Sequence, residues 1–170
     1  QILWLNLVID GLPAIALGVD PPAKGVMKRR PKSPKERIMN NPMIKSILVL
    51  SILMTAGTLG IFIGYKDSTL IKAQTMAFTS LVIFEIARLH MIRSQYHTKI
   101  KENKWLLVAV GISILLQLIV IYTPLNIIMK TTVLNLMDWG VIMGTLIIIT
   151  SIAWIIQKFF MKNMEEEVSS

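Results

Sequence analysis

Leu5-Asn6-Leu7-Val8-Ile9-Asp10-Gly11-Leu12-Pro13 lies in the middle of an apolar run that covers residues 1–19. An apolar run of about 20 residues is what a helix needs to cross ~30 Å of hydrocarbon. Four more runs of similar length follow, at 46–65, 73–92, 105–123 and 139–160. They do not alternate apolar with polar residues, so they are not barrel strands. Backbone groups in lipid must be bonded within the segment, so each run is expected to be a helix. The fold class that follows is all-α: a polytopic transmembrane bundle of five spans in a lipid bilayer.

Composition agrees. Of the 170 residues, 54% are hydrophobic and only 16% charged, against about a quarter charged in a soluble domain. That excludes an ordinary soluble enzyme and a disordered chain. The absence of cysteine excludes a thiolate metal site, a Cys nucleophile and a disulfide scaffold. The net charge of +8 does not point to nucleic acid, because the charges sit between the spans. Lys24, Lys28, Arg29, Arg30, Lys32, Lys35, Arg37 and Lys45 follow the first run, and Arg93, Lys99, Lys101 and Lys104 follow the third. Lys158 and Lys162 lie at the end of the fifth, whereas the alternate loops hold only Lys66, Lys72 and Lys130. Positive residues mark the cytoplasmic side, so the C-terminus is expected there. Loop 20–45, rich in proline and basic residues, is read as a solvated topology signal, or else as a docking surface for a soluble domain or anionic lipid. The acidic residues Glu165, Glu166 and Glu167 are read as a solvated tail. An odd number of spans with an external start, and a first residue already inside an apolar run, predict that the chain is part of a longer one.

Few ionisable groups lie within the spans, and each is expected to be functional. Asn6 and Asp10 are four apart and share a helix face. Pro13 cannot donate to the Ile9 carbonyl and disfavours helix at Leu12. The first helix is therefore expected to be partly unwound near Asp10-Gly11-Leu12-Pro13, with carbonyls freed beside a carboxylate and an amide. Hard cations take such an all-oxygen set, and interrupted helices build ion sites in transporters. The alternative is a proline kink whose polar residues bond neighbouring helices. In the third span Glu85 either faces Asp10 across a cavity, with a cation or proton between them, or pairs with Arg88 three residues on. Thr75, Thr79, Ser80, Gln117, Thr145, Thr150 and Ser151 are read as helix-packing residues. Gly57, Gly60 and Gly64 are read as sites of close helix approach. His90 and His97 have no nearby acid and are not expected to bind metal. Trp4, Trp105, Trp139 and Trp154 fall near predicted interfaces, as in an aromatic belt. No phosphate loop, HExxH or Ser/His/Asp set is present, so no catalytic residue is assigned and the chain alone should hydrolyse nothing.

The run QILWLNLVIDGLPAIALGVDPP at 1–22 closely resembles the sixth transmembrane helix of P-type cation-transporting ATPases, in their calcium-pump branch. RPKSPKE at 30–36 resembles the following loop, and AQTMAFTSLVIFE at 73–85 is similar to helix eight. The five spans would then be helices six to ten of a ten-helix pump. The resemblance implies calcium as the transported ion, with Asn6, Asp10 and Glu85 on the family's ligand positions. It also implies partners absent here: the N-terminal helices and the cytoplasmic phosphorylation, nucleotide and actuator domains, which use ATP and magnesium. Three departures stand out. Ile9 replaces the Thr of two-site calcium pumps, Arg88 lies one turn from Glu85, and Ala23-Lys24-Gly25 replaces the acidic residues that often follow the proline pair. The first two favour one calcium per cycle. The alternatives are a pump for protons, sodium or manganese, and a non-enzymatic membrane interaction protein or secondary transporter.

Overall fold

The structure is a computed structural model, and it describes residues 1–19, 41–95 and 103–169. The described part is helical throughout. The chain opens with α1 (Ile2–Trp4), a π-helical segment (Leu5–Gly11) and α2 (Leu12–Gly18), in unbroken succession. Then come α3 (Asn41–Tyr65), α4 (Leu70–Gln95), α5 (Lys104–Tyr122), the short α6 (Leu125–Met129) and α7 (Leu136–Ser169). Four helices are long and apolar enough to span a membrane, and the helix from Ile2 to Gly18 is a shorter apolar one. This is the five-span bundle expected, and the protein is an integral membrane protein. The basic loop lies almost wholly outside the described residues, as does His97.

The expected loosening of the first helix takes the form of a wide turn upstream of the proline rather than a break after Asp10. The hydrogen-bond ladder shifts from i+4 to i+5 over Leu5–Gly11. Pro13 then sits in the first turn of α2, where a missing N–H costs nothing. Leu12 keeps right-handed helical angles, φ −64° and ψ −49°.

Helix α4 lies at the centre, touching α3, α5, α7 and the π segment. Its residues Met76 and Phe84 meet Ile61 of α3, Ile121 of α5 and Ile142 and Ile149 of α7 in the main core. Val82 packs under Trp4, Leu5 and Leu12, which seats the first helix on α4. Helix α2 leans on α5 through Ala16 against Leu106, Ala109 and Val110. Lipid is as apolar as leucine, so packing and interhelical hydrogen bonds hold such contacts together. The Gln117 amide donates to Thr79 Oγ1 at 3.2 Å between α5 and α4, both side chains being buried. Thr145 and Thr150 instead return their hydroxyls to Val141 and Leu146 carbonyls on their own helix.

The glycines of α3 divide. A Cβ on Gly57 would lie 2.3 Å from Ile149 Cδ1 and 3.3 Å from both Phe84 and Thr145, whereas Gly60 and Gly64 face open space. Close approach therefore belongs to Gly57 alone of the three. Gly57→Leu should destabilise the bundle by about 2 kcal/mol through overpacking, read as a lower melting midpoint in detergent. Gly57→Ala should be close to neutral, because ~1 kcal/mol of helix propensity offsets a small shift of the Ile149 methyl. A Gly60→Leu change with the same penalty would remove the local-contact explanation.

Candidate ion site of the first helix and helix four

The first helix carries the proposed donors on its widened turn. Asn6 lies within the π segment with an exposed side chain. Asp10 occupies the same segment, one residue before its end; its side chain lies outside the described residues. A Cβ on Gly11 would stand 3.6 Å from the backbone carbonyl of Asn6, an ordinary contact, and in the i+5 ladder that carbonyl faces the Gly11 N–H.

Glu85 lies on the flank of α4 that faces α2, half-buried. It borders a cavity of about 350 Å³ lined by Pro13, Ala14, Leu17, Ile86, Arg88 and Leu89. Its carboxylate accepts a hydrogen bond from the Arg88 guanidinium in an i, i+3 ion pair. The pair with Arg88, one of the two arrangements open to Glu85, is present; the other involves Asp10, whose side chain lies outside the described residues. Arg88 Nε is buried and has no hydrogen-bond partner among the described residues. Asn6 does not line this cavity. The geometry thus gives an oxygen-bearing π turn on the first helix and, on α4 beside α2, a carboxylate paired with an arginine of its own helix. Among the described residues no group of three or more His, Asp or Glu side chains converges as a metal cage. His90 turns Nδ1 to the Ile86 carbonyl at 3.1 Å, a local helix contact.

Two polar residues at helix starts escaped the sequence reading. Asp138 is 2% exposed and joins the start of α7 to α4. Its Oδ1 lies 3.0 Å from Lys72 Nζ, and its Oδ2 accepts the Asn135 backbone N–H at 2.8 Å. Lys72 also lies 5.4 Å from the centre of the Tyr65 ring. Asn103 caps α5 by accepting from the Leu106 N–H, and its amide donates to the Ala16 carbonyl. Both follow a capping spacing, Asn135-x-x-Asp138 and Asn103-x-x-Leu106, that could have been read before an apolar run. The partners Lys72 and Ala16 carry no such local signal.

Helices long and apolar enough to span a bilayer, packed together with a distorted turn in the first, define a polytopic membrane domain. The family described as cation transporting ATPase, C-terminus, matches residues 1–159, and the chain belongs to that family. It is 38% identical over 151 residues to a calcium-transporting ATPase of Bacillus subtilis (strain 168), covering 85% of this chain and 17% of that protein. It is 35% identical over 165 residues to the calcium-transporting ATPase type 2C member 1 of Homo sapiens, covering 93% and 18%. A calcium-transporting ATPase 1 of Yarrowia lipolytica is 31% identical over 173 residues, covering 96% and 18%. The chain thus spans between a sixth and a fifth of the length of these curated relatives.

Proposed function

We propose that the chain forms part of the membrane domain of an ATP-driven P-type calcium pump, and that its first helix supplies the principal ion ligands. The observation that carries this reading is the π turn at Leu5–Gly11, which holds Asn6 and Asp10 in a chain of the cation-transporting ATPase family. In this reading Asp10 is the anionic ligand and Asn6 a neutral oxygen ligand, an all-oxygen pair of the kind hard cations take. Ligands from helices outside this chain close the cage. ATP and magnesium act on phosphorylation, nucleotide and actuator domains beyond these residues. The basic loops and the C-terminus face the cytoplasm, following the distribution of lysine and arginine.

Glu85 has a lesser role. Its pairing with Arg88 supplies a built-in positive charge, and Ile9 offers no side-chain oxygen. Both features support one calcium per cycle. Glu85→Gln in the intact pump should accordingly shift the half-saturating calcium by less than the roughly tenfold that 1.4 kcal/mol represents. A hundredfold shift in calcium-dependent phosphorylation would instead make Glu85 a principal ligand.

The test of the reading is ATP-driven uptake by the intact protein in sealed vesicles, with calcium, manganese, sodium and protons offered one at a time. One calcium per ATP is expected. Uptake supported by sodium or protons, and indifferent to calcium, would replace the calcium assignment, because oxygen ligands alone do not fix ion identity.

A further inference from the structure

We propose that Asn103 is a positioning residue for the ion-binding turn, acting through the carbonyl of Ala16. The inference rests on the reading of Asn6 and Asp10 as ion donors. Asn103 is 3% exposed and uses both ends of its amide. Its Oδ1 accepts the Leu106 N–H at 3.0 Å and so caps α5. Its Nδ2 donates to the Ala16 carbonyl at 2.8 Å, across 87 positions of sequence.

The second bond does what the surrounding contacts cannot. Helix α2 rests on α5 through Ala16, Leu106, Ala109 and Val110. Small residues let two helices come close, but apolar contact is non-directional and leaves sliding and rotation weakly opposed. A hydrogen bond from a fixed cap has direction. The Ala16 carbonyl belongs to the last turn of α2, where carbonyls lack a donor from their own helix. Asn103 fills that vacancy from the start of α5. It thereby fixes both the axial and the angular setting of α2.

That setting is passed upward. Helix α2 continues without interruption into the π segment. Asp10 stands six residues before Ala16, about 9 Å along the axis at 1.5 Å per residue. A turn of α2 about its own axis therefore re-aims Asn6 and Asp10 by a similar angle. A single side chain at the head of α5 sets where the donor pair points.

Asn103→Asp separates this role from simple capping. Aspartate is as good an N-cap as asparagine, yet it presents an oxygen where Ala16 needs an N–H. The experiment uses the intact protein with Asn103→Asp and Asn103→Ala. One measurement is the distance between spin labels on Leu17→Cys and Trp105→Cys, both exposed positions, by pulsed electron resonance. The other is the calcium concentration for half-maximal phosphorylation. Asn103→Asp is expected to broaden the distance distribution. It should also raise the half-saturating calcium about tenfold, the scale of a buried hydrogen bond turned into facing acceptors. The phosphorylation level at saturating calcium should be retained. If Asn103→Asp matches the parent in both measurements while Asn103→Ala does not, the residue is a cap only and the proposal fails. It fails equally if the distance broadens and the calcium dependence stays put. A parent protein with no calcium-dependent phosphorylation would remove the calcium reading by itself. The distance measurement needs no ion and would still decide whether Asn103 holds α2.

Discussion

Asp10→Asn in the intact pump is expected to abolish calcium-dependent phosphorylation over the normal calcium range. The change keeps size and shape and removes one negative charge, so a loss of function would report charge rather than packing. In a low-dielectric site the removal of one member of a charged pair costs about 3–5 kcal/mol. At 1.4 kcal/mol per decade that is a loss of affinity of at least about a hundredfold. The turn itself should survive, because its geometry comes from the backbone shift ahead of Pro13. The measurement is the level of phosphoenzyme formed from ATP across a calcium titration. Unaltered calcium dependence would take Asp10 out of the ligand set. Asn6→Ala should give a smaller shift in the same titration, since a neutral oxygen contributes less than a carboxylate.

Asp138→Ala is expected to be the most destabilising substitution in the bundle outside the ion site. The carboxylate is buried and ties the start of α7 to Lys72 of α4 while accepting the Asn135 N–H. Alanine leaves an ammonium that is 25% exposed and a backbone donor without a partner. Removing one partner of a buried ion pair costs about 3–5 kcal/mol. The partial exposure of Lys72 brings the expectation to the lower end, about 3 kcal/mol. Asp138→Asn keeps an acceptor for Asn135 and should lose less. A cycle with Lys72→Met should recover part of the loss, because the lysine no longer needs a counter-charge. Thermal unfolding in detergent checks all three. An unchanged midpoint for Asp138→Ala would show that the buried pair does not hold α4 to α7.

The course of the chain through the membrane was legible because hydrocarbon imposes a length on apolar runs. The ends were less so. Helix α3 starts at Asn41, earlier than position 46, since Pro42 is tolerated in a first turn and Lys45 did not have to end the helix. Helix α7 starts at Leu136 rather than 139, because Asp138 serves its own helix start instead of belonging to a loop. The last helix also runs through the acidic residues to Ser169. Within the candidate site, the Glu85 and Arg88 pair follows from a spacing of three on one helix. The polar pair on the first helix was visible as charge and amide in an apolar run, but the i+5 turn beneath it was not. A proline explains a missing donor without saying on which side the ladder will adjust. Asn103 and Asp138 show the limit more sharply. Their caps are local, whereas Ala16 and Lys72 meet them only after the helices have packed.

The wide turn at Leu5–Gly11 also fixes a unit of movement for this helix. Rewinding it into ordinary α geometry with α2 held still would carry everything above it forward by one residue, a screw of about 100° and 1.5 Å. The helix can thus be advanced by a single click, with no bond in α2 broken and no hinge required.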